Sequence, residues 1–242
     1  MKIYSLSLRN LKEIYRDPVS MLLGLGMPVA LLILFSSINK KVPLEIFSPQ
    51  SLTPGIIIFC FTFLIMFSAI LLAKDLQTAF LTRLLTTPLK PSDFIFSYTL
   101  PFLPLSLFQI SICLIVGLIL GAVFKNLILA CLIFLLVALI CVSIGMILGT
   151  FLTVNQVSGV GSLLITAIAL FSGAWMDLKM VGGFFERIGY ALPFAHAVDA
   201  SKGLFLGSSF SDVLTDFYII LLYAIVLFLL AILLFRLRMK KT

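Results

Sequence analysis

Six stretches of the chain are long and apolar enough to cross a bilayer: 19–38, 55–73, 94–121, 127–152, 156–175 and 213–235. About 20 apolar residues span the hydrocarbon core as a helix. Backbone polar groups in lipid must be satisfied within their own segment, so these stretches are predicted to be helices. A membrane β-barrel would alternate apolar and polar positions over segments of about 10 residues. Runs such as Leu127 to Ile140 do not alternate. The pattern predicts an all-α membrane protein with six transmembrane helices, forming a single domain over residues 1–242.

The connecting segments carry their own periodicity. Tyr4, Leu8, Leu11 and Tyr15 recur at helical spacing within residues 1–17, while Lys2, Arg9, Lys12, Glu13 and Arg16 fall mostly elsewhere around the helix. This predicts an amphipathic helix lying in the membrane interface, ended by Asp17-Pro18. The loop 74–93 begins with an apolar-faced stretch containing Phe80, Leu81, Leu84 and Leu85. It then meets Pro88 and Pro91, and Ser92 is placed to cap the next helix. A short helix of that kind needs a surface to bury against, either the membrane interface or a partner. Between the fourth and fifth spans only Thr153 to Gln156 remain as a turn. The segment 176–212 is long and aromatic, with Phe184, Phe185, Tyr190 and Phe194 following Trp175. It reads as one or two short helices dipping into the outer leaflet, a re-entrant region between helices five and six.

Composition agrees with lipid as the solvent. Hydrophobic residues make up 62% of the chain, against about half in soluble domains, and mean hydropathy is +1.23. The net charge of +7 sits at span ends and does not form a nucleic-acid stripe. Six spans put both termini on one side. With the termini inside, inner segments hold 11 of the 17 basic residues and outer segments hold 6. The positive-inside rule then predicts cytoplasmic termini in a multi-pass cell-membrane protein. Cys60, Cys113, Cys131 and Cys141 all lie in apolar runs, giving no disulfide framework and no metal-ligand spacing.

Chemistry is sparse. No phosphate-cradling G-x-x-x-x-G-K-[ST] pattern occurs. Gln109 is the deepest strongly polar group in the spans, and no carboxylate sits at mid-depth as an ion-coupled carrier would require. His196 is the only histidine. It would be the base for Ser162 or Ser172 if the chain were an intramembrane enzyme, although no surrounding motif supports that chemistry. Small residues recur: Gly117/Gly121 and Gly145/Gly149 form G-x-x-x-G, and Ser158, Ser162 and Thr166 share one face of the fifth span. Such faces pack helices within one chain or meet a second subunit. Gly24, Gly26 and Pro28 predict a bend in the first span.

Three stretches, LRNLKEIYRDPVSMLLGLGMP (8–28), LTRLLTTPLKPSD (81–93) and SGAWMDLKMVGGFFERIGYALPFAHAVDASK (172–202), occur in this order. Together they resemble the permease of ABC-2 type exporters, the class that includes bacterial drug, antibiotic and polysaccharide exporters. Where that family often carries an acidic residue and a Gly-Thr pair early in the inner loop, this chain reads Lys74-Asp75 and Ala79-Phe80. The resemblance implies a separate ATPase in two copies, which holds ATP and magnesium, and a second permease subunit, as homo- or heterodimer. It implies no cofactor on this chain. It assigns ATPase coupling to Asp75, Ala79, Phe80, Leu81, Arg83, Leu84 and Leu85. It offers Gly24, Gly26, Pro28, Ser158, Ser162 and Thr166 as substrate-path or dimer-face residues. The expected cargo is hydrophobic or amphipathic. The alternatives are an intramembrane enzyme using His196, or a non-transporting immunity or sensor subunit of the same fold.

Overall fold

The computed structural model describes residues 2–42, 47–78 and 90–239. Among them every regular element is a helix. The chain opens with α1, Lys2–Tyr15, and α2, Pro18–Lys41. Arg16 and Asp17 separate them. Pro18 lacks the N–H that would continue α1 but suits the first position of a new helix. The next helix, α3, Pro49–Leu76, starts at the cap Ser48, whose side chain accepts from Ser51 N. At 28 residues it is about 42 Å long, more than the hydrocarbon thickness.

The span expected over 94–121 consists of two helices, α4, Pro91–Thr99, and α5, Phe102–Ile119. The break falls at Leu100-Pro101, where the proline ring has no N–H to donate. The expected cap at Ser92 is shifted. Helix α4 begins at Pro91, and the Asp93 carboxylate accepts from Lys90 N at 3.3 Å. A carboxylate reaches further back than a serine hydroxyl and suits the positive end of the helix.

Next come α6, Leu127–Phe151, and α7, Val154–Phe171. Their two-residue turn is closed by a reciprocal cap: Thr153 N donates to Gln156 Oε1 at 3.0 Å, and Gln156 N donates to Thr153 Oγ1 at 3.4 Å. Three shorter helices follow: α8, Leu178–Val181, α9, Gly183–Ala191, and α10, Pro193–Leu206. A 3-10 turn at Phe210–Val213 leads into the last helix, α11, Leu214–Met239.

Among the described residues, five helical segments are long and apolar enough to cross a membrane: Pro49–Leu76, Pro91–Ile119, Leu127–Phe151, Val154–Phe171 and Phe210–Met239. The centre of the bundle is α3, packed by α2, α5, α6, α7 and α10. The α3–α6 contact depends on missing side chains. A Cβ on Gly145 would lie 1.9 Å from Ser68 Oγ and 2.4 Å from the Ile65 carbonyl, and one on Gly149 would lie 2.6 Å from the Ala69 carbonyl. The Gly145/Gly149 pair therefore serves packing within the chain. Gly121 has a different role, since it ends α5 with φ +95, a conformation that favours glycine.

The segment 176–212 is more structured than its aromatic content implied. In α10, Phe194, Val198, Leu204 and Phe205 are buried against the bundle. Trp175 packs between Phe35 and Phe59, with ring centroids 5.3 and 5.0 Å away. Outward-facing apolar residues of this segment include Met180, Phe184 and Phe185 on α8 and α9 and Leu206 at the end of α10.

Candidate functional site

The most elaborate polar structure lies where α3 ends. Asp75, the only acidic residue of α3, is 3% exposed. A carboxylate at that depth must be compensated. Arg9 of α1 supplies a two-pronged contact, Nη1 to Oδ2 at 2.6 Å and Nη2 to Oδ1 at 2.8 Å. Tyr98 of α4 donates a short hydrogen bond from its hydroxyl to the same carboxylate. The charge-assisted, bidentate form is the strong one.

The network continues outward. Arg9 Nη2 also reaches Glu13 at 3.0 Å, and Glu13 takes Lys74 Nζ on its other oxygen at 3.0 Å. Asn10, fully buried, donates to the Ser97 carbonyl at 3.3 Å. The hydrogen bond to Asp75 raises the Arg9 guanidinium further above its ordinary range, against the opposing effect of burial, so Arg9 stays a cation. Behind Tyr98, Phe94 stacks on it and on Phe235 of α11, both with centroids 4.6 Å apart. One carboxylate thus holds together α1, the end of α3 and α4, and α4 in turn packs on α11.

Helical spacing explains why these groups meet. Arg9 and Glu13 are four residues apart on α1, so both project from one face toward α3. Lys74 and Asp75 occupy the last turn of α3, and Thr78 closes it by donating to the Asp75 carbonyl at 3.0 Å. The resemblance assigns Asp75 to coupling, whereas the sequence pattern places Arg9 only on the polar side of α1 and gives Tyr98 no role. A lone acid at the end of an apolar helix is itself the signal that a buried partner exists. Ala79, Phe80, Leu81, Arg83, Leu84 and Leu85 lie outside the described residues.

The other candidates occupy two helices that both pack on α3. On α2, Gly24 and Pro28 are buried and Gly26 is half-buried. The Gly24 carbonyl accepts from Gln109 Nε2 at 2.9 Å, while Gln109 Oε1 is buried with no partner among the described residues. On α7, Ser158, Ser162 and Thr166 are all exposed. Their hydroxyls donate back to Val154, Gly159 and Ser162 carbonyls at 3.3, 2.8 and 2.9 Å. Only Val157, Gly161 and Ile168 of α7 are buried. The helix therefore presents a face of small, self-satisfied residues outward.

His196 belongs to a second polar cluster at the opposite end of the bundle. Its Nδ1 lies 2.7 Å from Asp216 Oδ1, and its Nε2 lies 3.0 Å from the Tyr190 carbonyl. Both ring nitrogens are engaged, and neither meets Ser162 or Ser172. The Ser172 hydroxyl is occupied in accepting from Ala174 N at 3.3 Å. The Tyr190 hydroxyl donates a short bond to Asp199. Burial, then that bond, pushes the phenol above its ordinary range. Lys202 donates to the Gly173 carbonyl at 3.3 Å, and burial lowers it from the usual lysine range. These contacts tie α9, α10 and α11 together, a structural arrangement and not a nucleophile with its base.

A family model described as ABC-2 type transporter matches residues 1–206 of the 242. No curated protein matches the chain.

Proposed function

The chain belongs to the ABC-2 type transporter family, and on that premise we propose that it is the membrane-spanning permease subunit of an ATP-driven exporter. In this reading α2 joins the five membrane-length segments as the first of six spans. Helix α1 lies in the inner interface and both termini are cytoplasmic, in the cell membrane. Two copies of a separate ATPase bind ATP and magnesium and supply the work. A second permease completes the pathway.

The observation that carries the proposal is the Asp75 junction. The segment 74–93 is the part of the chain that docks on the ATPase, and Phe80, Leu81, Arg83, Leu84 and Leu85 make the contact. An apolar helix face seated in a groove is a common recognition mode. Any displacement of that segment pulls first on the end of α3. Because Asp75 joins that end to α1 and α4, the displacement moves three helices as a body. Helix α3 is buried almost throughout, so a shift at its end carries the bundle with it, and rigid-body rotation is a recurrent switch in such assemblies.

The outward small-residue face of α7 is where the second permease packs, since small residues let helices approach closely in lipid. With α2 it borders the path of a hydrophobic or amphipathic cargo, and α3 backs both helices. The test is reconstitution. Coexpression with the cognate ATPase should give a complex that exports cargo on ATP addition. Phe80→Asp or Leu84→Asp should abolish copurification and ATP-coupled export while leaving the permease folded. Normal export by both variants would remove the docking assignment.

A further inference from the structure

A cavity of about 880 Å³ opens between α1, the start of α2 and the end of α3, beside the Asp75 junction. That volume is within the range of ligand sites. Its two sides differ in chemistry. The floor is apolar, with half-buried Ile70 of α3 flanked by the edges of Phe67 and Leu71, which are otherwise buried in the bundle. The rim is charged, with four basic side chains against two acidic ones. Glu13 is already shared between Arg9 and Lys74, both at 3.0 Å. Lys12 and Arg16 line the cavity, are exposed, and make no ion pair among the described residues.

We propose that this cavity binds one anionic membrane phospholipid, with its phosphate on Lys12 and Arg16 and its upper acyl chains on Phe67, Ile70 and Leu71. The two halves of the lining select the ligand. A free soluble anion would satisfy the cations but leave the apolar floor wet. A zwitterionic or neutral amphiphile would cover the floor but leave the excess positive charge uncompensated. Only an anion carrying hydrocarbon meets both demands. Basic pockets between membrane helices hold anionic head groups in this way. The lipid would wedge α1 against α3 next to the Arg9–Asp75 contact, so occupancy would bias the junction on which coupling depends. The proposal rests on the reading that these helices span a membrane, and needs neither an ATPase nor transport.

The test uses the full-length protein in phosphatidylcholine nanodiscs. In a Trp175→Phe background, Ile70→Trp places the only indole on the cavity floor. Brominated phosphatidylglycerol and brominated phosphatidylcholine are compared as quenchers at equal mole fraction. Two cations next to one anionic lipid favour it by a factor of about 30, so quenching by phosphatidylglycerol should saturate at a much lower fraction. Lys12→Gln with Arg16→Gln should bring the two lipids to parity. Inorganic phosphate at millimolar concentration should not relieve the quenching. Leu8→Trp, on the opposite wall, is a second reporter if Ile70→Trp does not fold. Equal quenching by the two lipids, selectivity that survives loss of both cations, or relief by inorganic phosphate would each overturn the proposal. None of these outcomes bears on ATPase docking, which fails or stands by the export assay.

Discussion

Replacing Arg9 with alanine removes two hydrogen bonds from a carboxylate that is 3% exposed, leaving only the Tyr98 hydroxyl. An uncompensated buried charge costs about 3–5 kcal/mol. Asp75→Asn is milder. The amide is neutral and keeps part of the hydrogen bonding, and the side chain of Arg9 is 36% exposed and still paired with Glu13. A lost charge-assisted bond of that kind costs about 1.5–3 kcal/mol. In the double variant no charge is stranded, so the sum of the single effects overstates the loss. The expected coupling is about 2 kcal/mol, so Asp75→Asn adds little to the cost of Arg9→Ala. The readout is hydrogen exchange of residues 2–15 and 74–78 in detergent, which reports local opening of α1 from α3. Arg9→Ala should speed exchange in both segments together. Single effects that add to within about 0.5 kcal/mol, or exchange that rises in α1 alone, would refute a shared buried junction.

Gly145→Ala should collapse yield and thermal stability in detergent, because its Cβ would sit 2.4 Å from the Ile65 carbonyl, whereas Gly159→Ala, with nothing within 4 Å, should fold normally. Ser162→Trp should leave the purified subunit folded but prevent its pairing with a second permease, read as loss of copurification of two differently tagged permease subunits. His196→Ala should lower thermal stability by about 1–3 kcal/mol through the bonds to Asp216 and the Tyr190 carbonyl, yet retain export. Complete loss of export at normal stability would give His196 a role in the chemistry.

The helices themselves were readable because membrane length and turn chemistry are local properties. Thr153 to Gln156 carries its own reciprocal cap, and Pro18 separates α1 from α2 without help from elsewhere. Which helices are central was not readable. Helices α3 and α11 are almost equally apolar, but 89% of the most apolar window of α3 is buried and only 17% of that in the α11 segment. Lipid and protein core are alike as solvents for leucine, so hydropathy does not separate them. The aromatic outer segment is ambiguous for a related reason. Trp175 and Phe194 suit a headgroup zone or a core equally, and packing on α3 and α6 decides for the core. At the junction, Asp75 stands out in the sequence but its partners do not, since Arg9 is 66 residues away and Tyr98 is 23. No periodicity links positions so far apart. The break at Pro101 needs only local chemistry, but the apolar run continues on both sides of it and masks the boundary.

The central claim is that this subunit moves cargo but draws its work from a separate ATPase. Proteoliposomes holding the purified chain alone, the ATPase alone, or both, loaded with ATP and magnesium on the docking side, test it most directly. The account predicts accumulation of cargo against its gradient only when both proteins are present, and none with Phe80→Asp. Uphill accumulation by the chain on its own, or its chemical turnover of the cargo, would contradict the account.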